Sequence, residues 1–233
     1  DATAELKIRG RDIDVSARDL LAQVEQSGGC SQWGRQCKQW LSGPIASEWI
    51  VGGTMSQNSG RADLAGVYFH VRAYRSESGA IGNVRVDTVI ENSRAYPEAT
   101  RNLQYNATIT VGRNEVREPG LKHYRQARWH EVLWWQDDPE IYTRADTRYL
   151  QRTRAISRYE QINPTDQFLA SRPKSFRPMS NGNQTASMGA TGAQSAIGPL
   201  PRWTSTYAIS GDERAFDWMI ANDDAVGSYS FHY

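Results

Sequence analysis

Between residues 45 and 145 the apolar side chains recur at every second position, and this period of two constrains the fold more than any other feature. Val67, Phe69, Val71 and Ala73 alternate with Tyr68, His70, Arg72 and Tyr74. Val84, Val86, Thr88 and Ile90 form another such set. Tyr105, Ala107, Ile109 and Val111 form a further one, closed by the turn Gly112-Arg113-Asn114. Residues 45–51, 123–135 and 140–144 are also extended in pattern. Alternation places every other side chain on one face of an extended chain, so one face is buried and the other wet. Short strands separated by Gly, Asn and Pro turns, with no helix between them, predict an antiparallel β-sandwich.

The flanks read differently. Leu6, Ile8, Ile13 and Val15 surround a Gly10-Arg11 turn, which predicts a hairpin. Ser16 is placed to cap a helix over 17–26, with Leu20, Leu21 and Val24 on one face and Gly28-Gly29 at its end. Trp33, Trp40 and Leu41 are expected to cover that helix. Residues 145–155 suggest a short helix. Residues 156–198 lack periodicity, contain Pro164, Pro173 and Pro178, and include a run of small and polar residues over 180–198. They read as a linker or an extended arm. Beyond them, Pro199-Leu200-Pro201 opens a helix carrying Trp203 and Tyr207. Ser210-Gly211-Asp212-Glu213 has capping-box spacing for a second helix, with Phe216, Met219 and Ile220 on its inner face. The expected class is mainly β: an antiparallel β-sandwich (45–155) behind a short N-terminal helical cap (1–44), then a long extended arm (156–198) and a C-terminal αα-hairpin (199–233). The hairpin reads as the start of a further helical domain.

A chain of 233 residues buries enough surface to fold without a metal or disulfide lattice. It has no run of about 18 apolar residues, so no membrane span is expected. Its net charge is +1, from 27 basic and 26 acidic residues, which gives no global field for nucleic acid. The basic set is almost all Arg, a planar forked donor that suits carboxylates and stacking. Asp1 stands where an initiator Met is absent, so the chain reads as a processed or excised piece of a longer polypeptide. Cys30 and Cys37 have six residues between them, and none of His70, His123, His130 and His232 lies at ligand spacing, so no metal site is expected. The cysteines read either as a local disulfide or as two reduced, buried thiols. A bridge would place maturation in an oxidising, extracytoplasmic space: secreted, periplasmic, or at a virion or cell surface.

The densest chemistry lies over 128–140. On a strand, Trp129, Glu131, Leu133 and Trp135 share one face, and His130, Val132 and Trp134 share the other. Aromatic rings stack on the C–H faces of sugars while acids and amides bind hydroxyls, so Trp129, Glu131, Trp134 and Trp135 are the candidate glycan-binding residues. The plainer alternative makes one Trp set core and the other edge cover. Glu131 with Asp137 or Asp138 would serve glycoside hydrolysis only across a cleft, and acids beside Pro139 are commonly turn-formers. His70, His123 and His130 read as structural. No nucleophile elbow, phosphate loop or calcium loop occurs, so no catalytic residue is assigned and no cofactor is expected. Arg144, Arg148, Arg152, Arg154 and Arg158, mixed with Tyr149 and Tyr159, would suit a nucleic-acid strand. The balanced net charge favours a solvated face or an acidic partner instead.

Two stretches carry a resemblance. Val84-Arg85-Val86-Asp87-Thr88-Val89-Ile90-Glu91-Asn92 resembles a core strand of the large sandwiches in polysaccharide-processing enzymes. The pair of helices from Gly198 through Tyr229 resembles the opening hairpin of an (α/α) toroid. Sandwich followed by toroid is the layout of several glycoside hydrolase, phosphorylase and polysaccharide lyase families, and the chain also resembles parts of large bacterial and prophage-borne proteins. In such enzymes the catalytic groups sit on the toroid, so the resemblance assigns no catalytic residue here. It implies an extracytoplasmic, glycan-directed portion of a larger carbohydrate-active protein, one that binds or scaffolds polysaccharide or cell-surface glycan without catalysing. The alternative is a structural subunit of a phage tail, virion surface or extracellular filament. There, residues 156–198 would cross to neighbouring subunits or to other copies of the chain.

Overall fold

The computed structural model describes residues 1–8, 11–30, 37–57, 61–92, 101–144, 146–158, 164–185 and 195–229. The chain forms two compact units, Asp1–Pro139 and Glu140–Tyr229. Among its described residues the first is all β apart from one helix. A hairpin of β1 (Ala2–Ile8) and β2 (Arg11–Ser16) leads into α1 (Ala17–Gln26). Seven further strands follow: β3 (Cys37–Ser42), β4 (Ala46–Gln57), β5 (Arg61–Arg75), β6 (Ile81–Glu91), β7 (Leu103–Val111), β8 (Asn114–His123) and β9 (Arg128–Trp134). They make two antiparallel sheets, in the orders β2-β1-β7-β8 and β3-β4-β5-β6-β9.

Alternation explains the packing. In the four-stranded sheet Ala2, Ala4 and Leu6 of β1 stand opposite Val111, Ile109 and Ala107 of β7, and all six are buried. In the five-stranded sheet Val67, Phe69, Val86, Ile90 and Trp129 supply the inner face. Thr88 is also fully buried there, and its hydroxyl has no partner among the described residues. Gly52 is required by a close approach, since a Cβ there would lie 2.3 Å from Cδ1 of Tyr68. The Tyr68 ring therefore fills the space that a side chain on β4 would take.

The mainly-β antiparallel architecture, the N-terminal hairpin and the 17–26 helix follow the sequence pattern. Ser16 caps α1 by accepting from the Asp19 amide at 3.3 Å. Several expectations need correction. Residues 140–144 form no strand, because no neighbouring strand pairs with them. The stretch 123–135 holds the last residue of β8, a turn with Ala127 N–H bonded to the Tyr124 carbonyl, and then the whole of β9. Trp40 and Leu41 do not cover α1. They lie on edge strand β3, 59 % and 43 % exposed, and Trp33 lies outside the described residues. Cys30 and Cys37 form a disulfide that ties the exit of α1 to the first residue of β3. Among the described residues no helix is long and apolar enough to cross a membrane.

The second unit begins earlier than the expected break at 155. Tyr142 packs on Phe216 with ring centroids 5.8 Å apart, and Thr147 of α2 (Thr147–Arg152) donates to the Ala208 carbonyl. The expected αα-hairpin is present as α4 (Arg202–Ser210) and α5 (Glu213–Ser228). Gly211 turns the corner at φ +61°, where an L side chain is strained, and its N–H caps Tyr207 O at 2.8 Å. Asp212, rather than Ser210, is the N-cap of α5, and it accepts from the Arg214 amide at 2.9 Å. Helix α5 extends through Gly227 to Ser228. Ala215, Trp218, Ala221, Asn222 and Ala225 form its buried face, at helical spacing.

Within 156–198, the described residues 164–185 lie against α5 of the same chain. They include α3 (Asp166–Ala170), whose Phe168 meets Trp218 edge-on at 5.9 Å. The Arg172 guanidinium lies over both rings, 4.4 Å from Phe168 and 5.2 Å from Trp218. Asn222, fully buried, accepts from the Asn183 amide at 2.8 Å and donates to Trp218 O at 2.7 Å. The Asn183 side chain in turn accepts from Trp218 Nε1 at 2.7 Å.

Two outcomes follow from these contacts. Asn222→Leu leaves the Asn183 amide without its acceptor, at a cost of about 1–3 kcal/mol. It should speed limited proteolysis within 181–185 relative to wild type, and an unchanged cleavage rate would contradict this docking. Reducing the Cys30–Cys37 bridge should lower the unfolding free energy by about 2–3 kcal/mol in urea titrations, from released loop entropy.

Candidate functional site

The four candidate glycan-binding residues do not share a face. Trp129 points inward and is 2 % exposed, so its ring belongs to the core and offers no surface to a ligand, which corrects that part of the expectation. Its indole Nε1 donates to the Tyr105 hydroxyl at 2.8 Å. Tyr105 donates to His123 Nδ1 at 2.8 Å, and His123 Nε2 donates to the Ala127 carbonyl at 2.9 Å. The carbonyl accepts only, so the proton sits on Nε2, and Nδ1 is left as acceptor for the phenol. Every donor in this line is used once, and the imidazole is neutral. Burial pushes its pKa down to about 4, against the carbonyl bond that favours the charged form. The same burial pushes the Tyr105 phenol well above its ordinary value.

Glu131 shares the inward parity of Trp129 and stands opposite Thr88. Trp135, just beyond β9, is 45 % exposed, and an added Cβ at Gly112 would lie 2.8 Å from its Cδ1. Only Trp134 stands on the outer face of the five-stranded sheet. Its ring stacks with Tyr74 of β5, with centroids 5.6 Å apart and planes at 25°. Two asparagines fix the strand end beneath it. Asn114 donates to the carbonyls of Trp134 (2.7 Å) and Gln136 (3.0 Å), and Asn83 accepts from the Gln136 amide at 3.3 Å and donates to Asp137 O at 3.2 Å.

Strand register shows what surrounds this pair. Glu48, Arg72, Arg85 and Trp134 stand in one row across β4, β5, β6 and β9, and Ile50, His70, Asp87 and Val132 stand in the next. Arg72 pairs with buried Glu48 and reaches the Tyr74 hydroxyl at 3.5 Å. His130 Nδ1 donates to Asp87 at 2.8 Å, and Arg85 approaches the same carboxylate at 3.8 Å. Burial alone would raise the Asp87 pKa, but the His130 hydrogen bond and the charges of His130, Arg85 and His70 outweigh it and hold the carboxyl below its ordinary value. Tyr68, His70, Arg72, Tyr74, Asp87, His130 and Trp134 are all half-buried.

The outer face of the other sheet is unlike this one. Thr3, Glu5 and Lys7 of β1 stand beside Thr110, Thr108 and Asn106 of β7, the ordinary polar phase of a solvated sheet. Among the described residues no group of three or more His, Cys, Asp or Glu is placed to hold a metal ion. The site that sequence reading missed is therefore the polar phase of β5, Tyr68-x-His70-x-Arg72-x-Tyr74. Its signal was an outward phase rich in aromatic and forked groups.

The core line yields a pH dependence. With a native pKa near 4 against about 6.5 unfolded, the unfolded chain takes up a proton that the native His123 refuses. Stability from this site is complete above about pH 6.5 and falls as pH drops toward 4, by about 3 kcal/mol. The His123 imidazole resonances should keep their neutral positions down to pH 5 in an NMR titration, and an ordinary midpoint near 6.5 would contradict the buried, neutral assignment. Compared with known proteins, the chain matches no family model, no curated protein and no solved structure.

Proposed function

We propose that this protein binds glycan on the outer face of the five-stranded sheet, as an extracytoplasmic binding or scaffolding protein rather than a catalyst. The observation that carries the reading is the stacked Tyr74–Trp134 pair, set among Glu48, Arg72, Asp87 and His130 on a half-buried sheet face. Sugar rings offer apolar C–H faces edged by hydroxyls. An aromatic pair contributes dispersion and desolvation on the first, and fixed carboxylates, imidazoles and guanidinium groups serve the second. The Asn83 and Asn114 clamps hold the Trp134 end of β9, so little ordering remains to be done when a ligand arrives. The Cys30–Cys37 disulfide is compatible with maturation in an oxidising space. The alternative, an assembly subunit reaching its neighbours through residues 156–198, has less support, because residues within it, among them Arg172 and Asn183, already pack on α5 of the same chain.

The test is a panel of plant, microbial and animal oligosaccharides, scored by tryptophan fluorescence and then by calorimetry. Trp134→Ala should weaken binding of the positive ligands by roughly tenfold or more, about 1.4 kcal/mol. Trp40→Ala, on the far edge strand, should leave it unchanged. Binding that survives Trp134→Ala, or a panel with no ligand, would overturn the assignment.

A further inference from the structure

The charges on the same face carry a narrower conclusion about the ligand, one that rests on the glycan-binding reading. Arg72 and Arg85 stand directly opposite each other on β5 and β6. Like charges at opposed positions destabilise a sheet unless each is compensated. Arg72 is compensated: Glu48 pairs with it and the Tyr74 hydroxyl accepts from it. Arg85 is not compensated to the same degree. Its nearest acid, Asp87, is already engaged by His130 at 2.8 Å and stands 3.8 Å from the guanidinium, beyond hydrogen-bond distance. The Arg85 side chain is 28 % exposed, and among the described residues its guanidinium makes no hydrogen bond. It also stands directly opposite Trp134, at the spacing where cross-strand side chains touch.

We propose that the glycan held on this face is acidic, with a carboxylate or sulfate that accepts a forked pair of hydrogen bonds from Arg85 while the ring that bears it lies on Trp134. The planar guanidinium matches either oxyanion in two-point geometry, and a lysine at the same place would supply charge without the fork. In the adjoining row His70 stands opposite Asp87 and beside apolar Ile50. A neutral sugar would fill the aromatic surface and leave the guanidinium without a hydrogen-bonded anion, so the site discriminates by what it leaves unsatisfied.

Matched pairs of oligosaccharides test this on the whole protein. One arm compares uronic-acid oligomers with their carboxyl-reduced forms, and the other compares sulfated galactans with their desulfated forms. Calorimetry should show the acidic member of a pair binding at least tenfold tighter, and the preference should shrink as salt rises. Arg85→Gln should bring the acidic ligand down to the affinity of its neutral partner, and Arg85→Lys should keep only part of the preference. Equal affinities within every pair, or a preference that persists in Arg85→Gln, would overturn the inference and leave the glycan-binding reading standing. A protein that binds no member of any pair would overturn both.

Discussion

The hydrogen-bonded line Trp129–Tyr105–His123–Ala127 is the contact on which the arrangement of the first unit turns. It runs between the two sheets, joining β9 to β7 and β8. A buried indole, phenol and imidazole would each be costly if left unpaired, and together they leave no unused donor. The line also sets the parity of β9. Successive side chains on a strand point to opposite faces, so holding Trp129 inside places His130, Val132 and Trp134 outside. A slip of one residue would carry Trp134 into the core and remove the aromatic pair from the outer face. The proposed binding surface is thus fixed from within by a group that never meets the ligand.

The parts of the fold that were legible in sequence are those where burial is one-sided and local. β5, β6 and β7 each pack one face, and the alternation of Val67-x-Phe69, Val86-x-Thr88-x-Ile90 and Ile109-x-Val111 reports it directly. The two edge strands that were missed lack that signature for a physical reason. β8 carries Glu115, Arg117, Glu118, Pro119 and Lys122, as a strand with one unpaired edge tolerates or prefers, and β3 exposes four of its six residues. The candidate site was half legible. Parity on β9 separated Trp129 from Trp134, but nothing local says which set faces the core, because that choice rests on Tyr105 and His123 more than twenty residues away in one case. The placement of Arg72, Arg85 and Trp134 in one row depends on the register of β5, β6 and β9, which no single strand encodes.

The second unit shows the opposite limit. Its helices were readable from aromatic spacing and caps, yet residues 164–185 were not, because they are held by side-chain amides and cation–π contacts rather than by a periodic apolar stripe. Asn183, Asn222 and Trp218 satisfy one another in a closed set, and the Arg172 guanidinium lies within cation–π distance of Phe168 and Trp218. Such contacts leave no period in the sequence. They also give Arg172 a use of both its charge and its donors, since its guanidinium lies over the two rings while its Nε–H donates to the Phe168 carbonyl at 3.1 Å.

The central claim is that the aromatic and charged outer face of the five-stranded sheet is the ligand surface of this protein. Backbone chemical-shift mapping of the isotopically labelled chain, titrated with a binding oligosaccharide, tests it most directly. The account predicts perturbations confined to residues on and beside Tyr74, Arg85, Asp87, His130 and Trp134, with Thr3, Glu5, Thr108 and Thr110 on the opposite sheet unmoved. Perturbations centred on that opposite sheet or on α4 and α5, with the Trp134 face unmoved, would contradict it.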